Sequence, residues 1–408
     1  MTLLVLLTAF AAAVAAAHIW RVGPATVAKV HVQRHAKHAK RHSKKRRHRR
    51  PHQVARKRVG PGTVGSGGGG GPSSAEGSSG AGAGGGPGSS GGPSEAGSSS
   101  TPAGGSPGGD PFAGQTFYVE PGSAAAQTQQ EWAGQGRAAE AAQVAKIASQ
   151  PVAKWFGDWS YGHGGTQGDV GWWVGRATAA GALPVLVAYD LPWRDCSQFS
   201  SGGASSPTAY REFIAAMAAG IGTHQAVVIL EPDALAELSC LSGEQQSTYY
   251  SLLSGAVAML SAHAGVTVYL DAGNAHWEPA ATIASRLEKA GVAGARGFSL
   301  NVSNFDATSS EVAYGEAVVH DIGASGASPH FIVDTSRNGR GAPSGGEWCN
   351  PPGRGLGADP TASTGNPLVD AFFWVKSPGQ SDGNCNGGPN AGEFWPAYAL
   401  ELARNSAG

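Results

Sequence analysis

Residues 227–238 read VVILEPDALAEL, and residues 189–203 read YDLPWRDCSQFSSGG. The first stretch decides the fold. VVIL is a short, continuous apolar run rich in β-branched residues, the pattern of a strand buried on both faces. It stops at Glu231, Pro232 and Asp233. The run PVLVAYD (184–190) stops in the same way, and leads through a proline to Asp195. A charge just past the end of a buried strand is costly unless it is used, and in a β/α fold that edge carries the active site. Asp195 and Asp233, brought together there, suit acid/base chemistry on a neutral polar substrate.

The same grammar recurs on either side. Further strand candidates are VTVYLDAG (266–273), GFSLNVSN (297–304), HFIVDTSR (330–337) and AFFWVK (371–376), with an earlier one around Lys154 to Phe156. Helical stretches separate them, among them 207–221, 243–264, 278–290 and 309–322, and Ser242 with Gln245 forms a capping box. About seven β/α repeats predict an α/β domain built as one parallel barrel. The strands end in Asp190, Glu231 with Asp233, Asp271, Asn301, Asp334 and Lys376, which would gather on one rim. One strand-end carboxylate is usually a structural cap; several together point to a site. Trp155, Trp159, Trp277, Trp348 and Trp374 lie near the same ends. A lone tryptophan is usually core, but several beside carboxylates suggest platforms for the flat faces of sugar rings.

The formal net charge of +0 conceals two unlike halves. The first 58 residues hold 15 Lys and Arg, and no acidic residue precedes Glu76. From Phe112 onward 26 acidic residues face 14 basic ones. Residues 1–20 contain the apolar run LLVLLTAFAAAVAAA, of signal-peptide length and short for a membrane span. No Lys or Arg precedes it and many follow, so the segment reads as a signal peptide or a signal anchor. The protein is expected to be secreted or anchored at the cell surface. Residues 21–58 read as a disordered basic arm, with polyanion or cell-envelope contact as the functional alternative. No aromatic residue is interleaved there to stack on bases. Residues 59–110, almost all Gly, Ser, Ala and Pro, read as a flexible linker, and 111–408 as the catalytic domain.

All four cysteines, Cys196, Cys240, Cys349 and Cys385, fall in that domain. A Cys196–Cys240 bridge would tie together the loops carrying the acid pair; four free thiols are the alternative. A bridge closing a loop of this size is worth roughly 4 kcal/mol in the entropic picture. No CxxC or HxxxH spacing occurs in the domain, so no metal site is expected.

YDLPWRDC, VVILEPDAL, YLDAGNAHW (269–277), GFSLNVSNF (297–305), DTSRNGRG (334–341), EWCNPPGRGLG (347–357) and FWVKSPGQSDG (373–383) stand in this order. Together they resemble glycoside hydrolase family 6, the inverting β-1,4-glucanases. The resemblance covers essentially the whole domain and none of the first 110 residues. It implies a distorted, partly open parallel β/α barrel of about seven strands, whose seam makes a cleft for a glucan. It implies Asp233 as general acid, with Asp195 beside it raising its pKa and helping to activate water. Asp382 is the other candidate base, with equal claim. Ser201 matches a residue that positions the water, and Tyr189 one that contacts the distorted sugar. Trp155, Trp277, Trp348, Asn301 and Lys376 match substrate-binding positions. Asn274 and Gln380 occupy two more, where the family often has His and Glu. The pairing Cys196–Cys240 and Cys349–Cys385 also matches. No metal or organic cofactor is implied, because two carboxylates and a water suffice.

The function expected is an endo-β-1,4-glucanase acting as a monomer on a β-1,4-glucan. The alternatives are a cellobiohydrolase of the same family, or a non-catalytic surface protein for glucan binding or polyanion adhesion. Endo action is expected because the stretches after Asp195 and after Asp382 are too short to roof a cleft.

Overall fold

The computed structural model describes residues 110–406. The expected leader and basic arm, and the linker up to its last residue, lie outside the described residues.

Two helices, α1 (Ala124–Gly134) and α2 (Ala138–Ala148), precede the sheet. Then β1 (Lys154–Phe156), β2 (Val185–Ala188), β3 (Ala226–Leu230), β4 (Val266–Asp271), β5 (Gly297–Leu300), β6 (His330–Asp334) and β7 (Val369–Phe373) form one sheet in chain order. Every neighbouring pair is parallel. The crossovers are α3 (Thr166–Ala179), α4 (Pro207–Ile221), α5 (Gly243–Ser261), α6 (Ala280–Lys289) and α7 (Thr308–Gly323). The capping box expected at Ser242 and Gln245 is formed and starts α5. Ser206 caps α4 through Ala209 N at 3.1 Å, with Pro207 in the first turn, where a missing N–H costs nothing.

The continuous apolar runs follow from burial on both faces. Val185, Val187, Val227, Ile229, Tyr269, Ile332 and Phe373 fill the barrel interior. Their sequence neighbours Leu186, Ala188, Val228, Leu230, Leu270 and Val333 pack in the larger core that also holds the crossover helices. Phe112 and Phe117 join the interior, with Phe117 edge-on to Phe373 at 4.8 Å.

The barrel stays open between its first and last strands. No ladder joins β7 to β1 among the described residues; an isolated bridge Val152↔Trp374 beside them, where Ala153 N donates to Trp374 O at 3.0 Å, spans the seam. A three-residue β1 is too short to build a ladder on both sides. A third core spans this region instead: Trp132 of α1, Val144 and Ile147 of α2, and Leu402 and Ala403 of α8 (Pro396–Arg404) enclose Trp374. Trp374 is 1% exposed, and its Nε1 donates to Ala358 O at 2.9 Å. The expectation of a sugar platform there is corrected: this tryptophan is core.

Candidate active site

The C-terminal ends of the strands are tied to one another by carboxylates. Glu231, buried at the end of β3, accepts from the amides of Asp190 at 2.9 Å and Leu191 at 3.0 Å, beyond the end of β2. Asp271, at the end of β4, accepts from Asp233 N at 2.8 Å and from Ser299 Oγ of β5 at 2.9 Å. Asp334, at the end of β6, accepts from Ser303 N at 3.0 Å and Lys376 N at 2.9 Å. These three acids position the rim.

Asp233 is held from behind by Asp271, on a backbone with φ +73° that a non-glycine residue rarely adopts. Burial raises its carboxyl well above the usual range, and Asp271, Glu237 and Asp195 add to the shift while Lys376 opposes it. A shift in this direction favours the protonated form, the form a general acid requires.

Asp195 stands in a strained loop. Trp193, Asp195, Cys196 and Ser197 have φ of 61°, 58°, 43° and 70°. Each such residue costs on the order of 1–3 kcal/mol unless its surroundings impose it. Two devices impose it here. The disulfide Cys196–Cys240 joins the loop to the segment after β3. The buried Arg194 threads the loop, donating to Ser200 O at 2.9 Å, Tyr189 O at 3.0 Å and Asp158 Oδ1 at 2.9 Å. Asp195 Oδ2 accepts from Ser200 N at 2.5 Å. Burial still raises the Asp195 carboxyl, against that amide and Arg194. Ser201 is exposed on the same loop.

Asp382 has a different environment. Arg337 Nη1 approaches its two oxygens at 2.9 and 3.0 Å, Lys376 Nζ lies at 3.2 Å, and Asn350 N donates at 3.0 Å. Burial opposes its ionisation, but Arg337 and Lys376 outweigh burial and hold the carboxyl below its usual range. The disulfide Cys349–Cys385 fixes the two segments that carry Asn350 and Asp382. Both expected disulfides are therefore present.

Tyr189 is buried, edge-on to Trp155 at 5.3 Å, and Trp155 Nε1 crosses the seam to Val375 O at 2.8 Å. Burial raises the Tyr189 hydroxyl far above its usual range, and Asp233 and Asp195 add to it. Trp277 and Trp348 are 38% and 44% exposed, free to present a ring face. Asn301 is fully buried, and its amide donates to Asp306 O and Asp334 O, so it braces the rim from inside. Asn274 is also buried, and its Oδ1 caps His276 N at 3.0 Å. Gln380 is half-buried on the loop after β7, bridged through its backbone to Phe394.

The two stretches expected to be too short to roof the cleft touch each other. Phe199, from the Asp195 loop, lies 6.1 Å from Trp348 and packs so closely on Gly383 that position 383 has no room for a side chain. Short loops suffice because β2 and β7 flank the three-residue β1 at the seam. Sequence reasoning also missed Arg194, Arg337 and Glu237 as members of the site. Glu237 alone carried a local signal, four residues after Asp233.

The profile described as Glycosyl hydrolases family 6 matches residues 112–406. The chain is 46% identical over 291 residues to Endoglucanase 1 of Streptomyces halstedii, covering 70% of this chain and 88% of that one. It is 43% identical over 290 residues to Endoglucanase A of Cellulomonas fimi, covering 71% of this chain and 61% of that longer protein. The solved structure of the endoglucanase Cel6 from Mycobacterium tuberculosis, in complex with a methyl-cellobiosyl-thio-cellobioside, is 42% identical with a TM-score of 0.67. That likeness covers 73% of this chain and 99% of the solved one.

Proposed function

The chain belongs to glycosyl hydrolase family 6, as a glycoside hydrolase of the cellulase type, and from that premise we propose that it cleaves internal β-1,4-glucosidic bonds of cellulose-like glucans with inversion. The single observation that carries the reading is Asp233: a half-buried carboxyl at the end of a central strand, raised by its desolvation and then by its acidic neighbours. In the proposed step Asp233 donates its proton to the glycosidic oxygen as the C–O bond breaks. A water on the opposite face of the ring attacks the anomeric carbon and gives up a proton. Asp195 is the favoured acceptor of that proton. Asp382 is a weak base in this reading, because a carboxylate neutralised by Arg337 and Lys376 gains little from protonation. Its role is to hold Lys376 and the loop after β7 in place. Tyr189 sits under the reacting ring, Ser201 beside the water, and Trp155, Trp277 and Trp348 line the subsites with Lys376, Asn274 and Gln380.

Endo action is supported by the names of the relatives at 43–46% identity. The contact of Phe199 with Gly383 favours a second reading, a partly roofed cleft and release of cellobiose from chain ends. The two disulfides fit an oxidising compartment, which supports secretion or surface attachment through the residues before 110. Proton NMR of the first product tests inversion: the α-anomer appears first from a β-glucan. Viscosimetry on carboxymethylcellulose tests endo action, with viscosity falling ahead of reducing ends. Early β-anomer defeats inversion, and slow viscosity loss with early cellobiose defeats endo action.

A further inference from the structure

Glu237 is an acidic side chain beside the proposed pair to which the family resemblance assigns no role. It opens the short turn Glu237–Cys240, and its amide donates to Asp233 O at 2.9 Å. Glu237 lines a small solvent-open recess together with Asp195, Trp193, Cys196 and Tyr249. Gln198 Nε2, on the Asp195 loop, donates to Glu237 Oε1 at 3.3 Å. Cys196 Sγ lies 3.7 Å from Glu237 O, inside the bridge to Cys240. Glu237 is thus coupled to the acid through its backbone and to the loop of the base through its side chain.

The charged and titratable groups around this cluster come from several elements. Asp195 and Arg194 face it from the loop after β2, Glu231 and Asp233 from its own segment, and Tyr249 from α5. Tyr189, Asp271 and Lys376 complete the set around Asp233. Arg194 spends its donors on Ser200 O, Tyr189 O and Asp158. Burial, then Asp195, pushes the Glu237 carboxyl up to about 7.

We propose that Glu237 is a positioning residue of the hydrolytic site, which holds the Asp195 loop through Gln198 and whose charge sets the upper edge of the pH window in which Asp233 works. This rests on the reading of Asp233 as acid and Asp195 as base. The sign follows from Coulomb's law. An ionised Glu237 makes the Asp233 carboxyl hold its proton more tightly. Without that charge Asp233 loses its proton at lower pH, while Asp195, held by Ser200 N and Arg194, keeps its own limb. The basic limb of the pH profile therefore moves toward acid and the acid limb stays in place.

Three variants of the full chain separate charge from tether. Glu237→Gln keeps an acceptor for Gln198 and removes the charge; Glu237→Asp keeps the charge; Glu237→Ala removes both. The readout is kcat/KM on carboxymethylcellulose against pH, beside Asp195→Ala as control. For Glu237→Gln the basic limb shifts toward acid by about half a pH unit or more while the acid limb stays. Glu237→Asp brings the basic limb back toward that of the parent chain, and Glu237→Ala adds a several-fold loss of kcat. Parental limbs in Glu237→Gln, with Asp195→Ala inactive, overturn the role of Glu237 alone. An active Asp195→Ala overturns the underlying assignment of the base.

Discussion

The two flanks of the site hold their carboxylates by opposite means. On the β2–β3 flank, Asp195, Asp233 and Glu237 sit among like charges, and burial raises all three. On the β6–β7 flank, Asp382 sits between Arg337 and Lys376 and is held ionised. One flank stores protons and the other stores fixed charge. The same residue type is thus pushed toward its protonated form in one place and toward its ionised form in the other, and the neighbours decide which.

The largest expected effect tests the movable side. Asp233→Ala should cost about 10² to 10⁴ in kcat on carboxymethylcellulose while circular dichroism stays native. An aryl glycoside with a good leaving group should suffer less, because it needs little protonation. Full activity in a folded variant would remove Asp233 from the mechanism.

The fixed side should answer in stability. Asp382→Asn leaves the fully buried Arg337 without its carboxylate. Breaking a buried pair in this way costs about 3–5 kcal/mol, read as a lower midpoint in denaturant. A variant of parental stability but without activity would mean that Asp382 acts in the chemistry and would restore its claim as the base.

The smallest expected effect is a pH dependence that comes mostly from the first flank and the carboxylates bracing the rim. Glu231 and Glu311 are pushed up to about 8, and Asp190, Asp271 and Glu237 up to about 7, by burial in each case. For an acid whose folded pKa is raised, the native state binds the extra proton. Stability is then full below the unfolded value near 4 and is lost as pH rises through the folded value. Asp382 contributes the reverse, losing stability only as pH falls through its depressed pKa. The unfolding temperature should therefore be higher at pH 5.5 than at pH 8.5. A flat or rising profile would break the contrast between the flanks.

The strand ends were legible because two physical constraints coincide there: an apolar run buried on both faces, and a charge that burial forbids. Asp195, Asp233, Asp271 and Asp334 could be placed on one rim from that alone. The ion pairs of Asp382 could not, since Arg337 and Lys376 lie on different segments with no local pattern joining them. The meeting of Phe199 with Gly383 was hidden for the same reason. Helices α1, α2 and α8 were not read from the sequence, because they lie outside the strand–helix alternation. Asn301 and Trp374 were placed at the rim correctly in sequence terms, but both are buried and engaged within the protein.

The clasp over the open seam has a consequence for synthesis. Strands β2 to β6 can pair one after another as each βα unit leaves the ribosome, because every neighbour in the sheet is also the next in the chain. The seam follows a different timetable. The apolar faces of α1 and α2 are made early, yet their partners Tyr398, Leu402 and Ala403 follow about 250 residues later, and Lys146 reaches Ala403 O at 3.1 Å only then. Until α8 emerges, the nascent chain carries an uncovered greasy surface and a β7 with no clasp. The emergence of α8 is thus the moment at which the two edges of the sheet are clasped.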